Sequence, residues 1–272
     1  MAQALPLLVG GTANLPALRE RHAWFLADQR DIEIQFASKA DHLDEDWRPV
    51  AAEFASLLDG HTGHRGIHAP YEGFHVGVPD RRLGQAMAER FLQALEFAAA
   101  VGASHMVLHS PFLYFGTALT VHRASDCQRL TELVQRNLAQ VVEAAQAQGC
   151  ILVFENICDL NPGPLDALVR AFASPWVRRS LDTGHANLMR SRGGPPADVW
   201  VEEAGELLAH VHLADNDGES DRHWACGEGT INWRSTFAAL ARLEATPRLI
   251  LEVQPDRQMA SLQWLSDRGL AR

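Results

Sequence analysis

The sequence contains no apolar run approaching the eighteen or so residues that a membrane-spanning helix needs. Its opening, MAQALPLLVGG, has neither the basic start nor the apolar length of a secretion signal. Cysteine is scarce: Cys127, Cys150, Cys158 and Cys226 are the full set, and no two are spaced Cys-x-x-Cys. A disulfide scaffold is excluded, and a reducing compartment fits. Cys158 has no basic neighbour in sequence to lower its pKa and reads as an inert thiol. Positive charge is also short. The formal net charge is −10, which leaves no electrostatic footprint for nucleic acid or anionic lipid. No Gly-x-Gly-x-x-Gly fingerprint is present, and no low-complexity linker divides the chain. These absences lead to the expectation of a cytoplasmic protein that engages neither membrane nor nucleic acid.

What is present is an alternation. In 272 residues, short apolar runs alternate with longer amphipathic stretches. The expected strands are LPLLVG from Leu5, IEIQFA from Ile32, GIHAP from Gly66, HMVLHSP from His105, ILVFEN from Ile151, RRSLD from Arg178, AHVHLAD from Ala209 and RLILEVQ from Arg248. The clearest helix is expected from about Arg123 to Gln148. Leu130, Leu133, Val134, Leu138, Val141, Val142 and Ala145 share one face there. Ser125 with Gln128 reads as a capping box and Gly149 as the stop. A second helix is expected from Leu83 to Val101, opening after Asp80 and closing at Gly102. Eight strand–helix units in this length predict an α/β fold, a single (β/α)₈ TIM barrel over residues 1–272. A doubly wound open sheet remains the alternative on pattern alone.

The strand ends carry the chemistry. GIH ends in His68, MVLH in His109, LVFE in Glu155, SLD in Asp182, HVH in His212 and LILE in Glu252. Any one of these has an ordinary reading as a cap, a turn or a satisfied core histidine. Six in the same slot do not. Side chains alternate along a strand, so Gly66 shares a face with His68, Val153 with Glu155, and Ile250 with Glu252. Polar residues would then crown a barrel filled by small or apolar ones, at the end where barrel active sites lie. Carboxylates crowded there without a cation would be costly. The stretch HVHLADNDGESDRHWACGEGTINW adds Asp215, Asp217, Asp221 and His223 in a Gly-rich loop. It reads either as a solvated acidic loop or as a source of two further ligands. His210 would face inward one layer lower, for packing or hydrogen bonding.

HAPY (68–71), VLHSP (107–111), FENI (154–157), SLDTGHA (180–186), the 212–233 stretch and LILEVQ (249–254) together resemble the xylose isomerase-like TIM-barrel superfamily. That superfamily includes sugar phosphate isomerases and epimerases and endonuclease IV. The resemblance implies a principal divalent ion (Mn, Mg, Co or Zn) held by Glu155, Asp182, His212 and Glu252. His185 is implied either as a substrate-oxygen contact or as the ligand of a further zinc. His68, His109, Asp221 and His223 match the rest of a three-zinc pattern, so more than one ion is compatible with the sequence. Two features depart from the family. The arginine that ketose 3-epimerases carry shortly after the strand-seven histidine is missing from Asn216–Gly218; Arg222 is the nearest. No basic, aromatic-interleaved loop is present to enter DNA.

The implied activity is a metal-dependent isomerase or epimerase acting on a small sugar, sugar phosphate or keto-polyol. Such an enzyme stabilises an enediolate, with Glu155 and Glu252 as the acid/base pair and His185 at the oxyanion. Arg222, Trp224 and Phe112 are the candidate substrate contacts. Three alternatives stay open: a multi-zinc phosphodiesterase resembling endonuclease IV, a dehydratase or lyase using the same enolate, and a barrel that only binds a ligand. A homo-oligomer is compatible with the sequence, which is silent on the substrate itself.

Overall fold

A computed structural model describes residues 5–112 and 124–272. Eight parallel strands form a closed barrel in chain order. They are β1 (Gly10–Ala13), β2 (Ile32–Ile34), β3 (Arg65–His68), β4 (His105–His109), β5 (Ile151–Glu155), β6 (Val177–Asp182), β7 (Leu208–Leu213) and β8 (Arg248–Leu251). Between and after them run α1 (Leu15–Ala27), α2 (Arg48–Leu57), α3 (Arg81–Val101), α4 (Ala124–Gln148), α5 (Gly163–Ala171), α6 (Thr183–Arg190), α7 (Ala197–Ala204), α8 (Trp233–Arg242) and α9 (Gln258–Ser266). The expected TIM barrel is the observed fold, and β1 pairing with β8 excludes the open sheet.

The helices form where the apolar spacing placed them. Asp80 caps α3 by accepting from the backbone N–H groups of Arg82 and Leu83, and Gly102 ends it at φ +70°. α4 carries the expected buried face of Val134, Leu138, Val141 and Ala145. Its expected first residue, Arg123, lies outside the described residues. The capping box is not made: Ser125 sits inside the helix, and Gln128 donates to Glu132 instead.

The first strand differs from expectation. The run from Leu5 precedes β1 and does not form it. Pro6 offers no N–H, and Leu7 and Val9 pair with Leu270 and Arg272 at the chain's other end. The run is thus a clasp for the C-terminus. The strand falls instead on the glycines that follow, because β1 and β2 approach closely. A Cβ at Gly10 would lie 1.8 Å from the Asp31 carbonyl oxygen.

Outward-facing residues such as Ile34, Ile67, Met106, Leu152, Val211 and Leu251 are buried under the helices. Two hydrophobic clusters result, one centred on α1 to α5 and one on α7 to α9. The interior face is different. The register aligns Glu33 with Gly66 and Gly66 with His105, so three neighbouring strands present Glu, Gly and His side by side. A Cβ at Gly66 would stand 1.9 Å from His105 Nε2. Only glycine lets the His105 ring lie across β3. Higher up, Ser110 donates to Asp159 Oδ1 at 2.6 Å, and Asp159 Oδ2 accepts from the Ile157 N–H at 2.9 Å. This tether joins the chain just past β4 to the chain just past β5.

Two outcomes follow from this packing. Gly66→Ala is expected to lower stability by about 1–3 kcal/mol through overpacking against the ring, read as a lower urea midpoint. An unchanged midpoint would mean that His105 swings aside freely. The Asp159 carboxyl is pushed up to about 6 by burial, against the lowering effect of Ser110, the Ile157 N–H and the Arg179 charge. A raised folded-state pKa stabilises the fold at low pH, and that contribution is lost as pH rises through about 6. Metal-stripped wild type should therefore lose roughly 2–3 kcal/mol relative to Asp159→Asn between pH 4 and pH 7.5. A gap independent of pH in urea titrations would contradict this.

Candidate metal centre at the barrel mouth

β5, β6, β7 and the residue after β8 bring Glu155, Asp182, His212 and Glu252 together, with one donor atom from each lying within 4.8 Å of the others. His212 is the hub. Its Nδ1 lies 2.9 Å from Glu155 Oε1 and 3.1 Å from Glu252 Oε2. Its Nε2 lies 3.0 Å from Glu33 Oε1. Asp182 is held by its backbone: its N–H donates to Asn156 Oδ1 at 2.9 Å, and its carbonyl accepts from Asn156 Nδ2 at 3.1 Å. Asp182 Oδ1 caps α6 by accepting from the His185 N–H, while its buried Oδ2 has no hydrogen-bond partner. An orphaned carboxylate oxygen among two glutamates and an imidazole nitrogen is the donor set a divalent cation takes.

The other oxygen of Glu155 faces a second group. His68 Nε2 lies 3.5 Å and His109 Nε2 3.7 Å from Oε2, and the two histidine nitrogens are 3.2 Å apart. A third group stands beside them. Asp221 Oδ2 is 3.3 Å from His185 Nε2 and 3.1 Å from His223 Nε2. His185 Nδ1 is turned to the Asn156 carbonyl at 2.9 Å, and His223 Nδ1 to the Glu252 carbonyl at 2.7 Å. Each ring's inner nitrogen is thus committed to a backbone oxygen, which frees the outer one for the site. His223 adopts φ +47°, a strained backbone for a residue other than glycine. All nine candidate ligands of the sequence reading are therefore at one mouth: two groups share Glu155, and His185 of the third lies 3.7 Å from it.

Charge is divided unevenly among them. Burial would raise the Glu155 carboxyl, but His212, His68 and His185 hold it well below the usual range. Burial pushes Glu252 up to about 7, helped by Glu155, Asp182 and Glu33 and opposed by His212. Burial would lower His212, yet Glu252, Glu33 and Glu155 raise it well above its ordinary value. A hydrogen bond to Asp221, against some burial, takes His223 up to about 10. Desolvation and the neighbouring His68 take His109 down to about 3.

The candidate substrate contacts fare differently. Arg222 donates from Nε to Asp217 Oδ2 at 2.7 Å and lies 5.2 Å over the Trp224 ring. Phe112 is 4% exposed and belongs to the larger hydrophobic cluster. Asp215, one of the acidic residues of the loop, is a clamp: its side chain accepts from the Gly227 and Ile231 N–H groups and from Trp233 Nε1. Two residues were given no role by the sequence. Tyr71 is 41% exposed and stacks on His109, with ring centroids 4.9 Å apart. Glu33 is fully buried under His212. Its signal was there: a lone acid in the middle of the apolar strand IEI.

Comparison with known proteins places the fold in a family. The uncharacterized protein MJ1311 of Methanocaldococcus jannaschii is 27% identical over 185 residues, which cover 65% of this chain and 60% of that protein. This chain thus matches about three fifths of that relative's length. The TTHB071 protein from Thermus thermophilus, in a structure soaked with ZnCl2, is 26% identical with a TM-score of 0.74. That match covers 95% of this chain and 96% of the other. A D-tagatose 3-epimerase-like protein shares the fold at 21% identity, TM-score 0.73, over 96% of each chain. The family described as xylose isomerase-like TIM barrel matches residues 29–268, and the chain belongs to it.

Proposed function

We propose that the protein is a divalent-metal-dependent isomerase or epimerase of a small sugar or sugar-derived hydroxy-ketone. One observation carries this reading. Two carboxylates from separate strands, Glu155 and Glu252, converge on one histidine nitrogen inside the mouth. Carboxylates set on different strands around one point can take a proton from one face of a substrate and return it at the other. Moving a proton beside a carbonyl needs such a pair, and two bases on two faces allow inversion. A divalent ion held by Glu155, Asp182, His212 and Glu252 would supply Lewis acidity toward adjacent substrate oxygens. His185, its Nδ1 held by the Asn156 carbonyl, would turn its Nε2–H from Asp221 to the developing oxyanion. Structures titled D-psicose 3-epimerase and 3-keto-D-glucoside 4-epimerase share the fold, at TM-scores of 0.65 and 0.72. Arg222 is tied to Asp217, so the sugar grip would have to come from elsewhere, and Tyr71 and Trp224 are the aromatic candidates at the mouth. Dehydratase or lyase chemistry on a keto-polyol would use the same groups.

A second reading has its own observation. Glu155 offers one oxygen to His212 and the other to His68 and His109, and the His185–Asp221–His223 group stands alongside. A carboxylate with donors on both oxygens suits a centre of two or three ions, which supports hydrolysis of a phosphodiester.

Elemental analysis of protein purified without added metal separates them by difference. For the isomerase reading, Asp182→Asn loses one ion per chain and His109→Ala loses none. A panel of ketoses then gains solvent deuterium beside the carbonyl with wild type, at least about 100-fold more slowly with Glu252→Gln. Loss of an ion in His109→Ala, together with hydrolysis of bis(p-nitrophenyl) phosphate, would favour the second reading. No ion in wild type, and none taken up on titration, would sink both.

A further inference from the structure

One layer below the mouth, Glu33, His105 and His210 face one another across the barrel axis. They come from β2, β4 and β7, and none is exposed. Glu33 Oε2 lies 3.1 Å from His210 Nε2 and 3.7 Å from His105 Nε2. Yet neither nitrogen has a hydrogen-bond partner, and His105 Nε2 stands too far from the carboxylate to make one. Buried polar atoms left in this state are rare and costly. One donor atom from each of the three residues lies within 4.8 Å of the others.

We propose that Glu33, His105 and His210 form a further divalent-cation site, of zinc type, distinct from the groups at the mouth. Two ligands about 2.1 Å from a tetrahedral ion stand about 3.4 Å apart. The two carboxylate–histidine separations bracket that value. The supporting contacts fit as well. Ser180 Oγ is 2.8 Å from His210 Nδ1 and fixes that ring with Nε2 toward Glu33. Gly66 leaves the space that His105 fills. The remaining oxygen of Glu33 stays on His212 Nε2, so the deep ion and the mouth are joined through one carboxylate.

The test uses Zn²⁺ alone. Crystals of the wild-type protein grown with ZnCl2 are expected to give an anomalous peak about 2.0–2.2 Å from Glu33 Oε2, His105 Nε2 and His210 Nε2. In solution, Asp182→Asn combined with His109→Ala should still keep one zinc per chain after dialysis against EDTA. His105→Gln should lose that ion while keeping those at the mouth. Peaks at the mouth with none at the deep position would overturn the proposal and leave the mouth reading intact. A deep peak with an empty mouth would do the reverse. Should His105→Gln fail to fold, the wild-type map decides alone.

Discussion

Everything at the mouth depends on one imidazole with carboxylates on both sides. His212 meets Glu155 and Glu252 at Nδ1 and Glu33 at Nε2, and all of this lies inside the barrel. Buried carboxylates repel one another and lose their hydration, so the arrangement holds only with positive charge at its centre. Without a metal that charge is the protonated ring of His212, raised far above its ordinary value by its three neighbours. A metal ion on Nδ1 must displace a proton. In the proposed metal centre, binding and deprotonation at this nitrogen would be one event, and metal affinity would weaken as the pH is lowered.

The rest of the barrel serves this constraint by restricting choices. Asn156 uses both ends of its amide to hold the backbone of Asp182, which turns one carboxylate oxygen to the helix cap and the other to the site. Asp215 gathers the N–H groups of Asn216, Gly227, Ile231 and the Trp233 ring and so shapes the loop that delivers Asp221 and His223. Both residues are buried. Each converts a flexible segment into one position for a donor atom, and an ion with fixed bond lengths requires that.

Much of this was legible in the sequence, for a simple reason. A parallel barrel puts every strand end at the same mouth, so residues distant in sequence become neighbours once the strands are counted. His68, His109, Glu155, Asp182, His212 and Glu252 could be placed together from alternation alone. What stayed hidden depends on contacts across the barrel or between chain ends. The run from Leu5 has the apolar character of a strand, but its partner is the C-terminal tail, and no local pattern announces that. Glu33 looks like the polar member of an alternating strand, as outward acids usually do. Only the register, with Gly66 between Glu33 and His105, turns it inward. Phe112 followed a strand end and so looked like a wall of the mouth, whereas its ring belongs to the hydrophobic cluster.

The register also explains why the interior has two polar layers rather than one. Residues two apart on a strand share a face, so the strand that ends in His212 must present His210 one layer down, and the one that ends in His109 must present His105 below Val107. Apolar residues at both lower positions would fill the barrel and leave Glu33 with only His212 and Gln35. Histidines there give the second oxygen of Glu33 something to face. Glu33 then cannot rotate without losing contacts in both layers, and the direction it imposes on the His212 ring becomes fixed. The ring at the mouth is aimed from beneath, by residues that no substrate needs to reach.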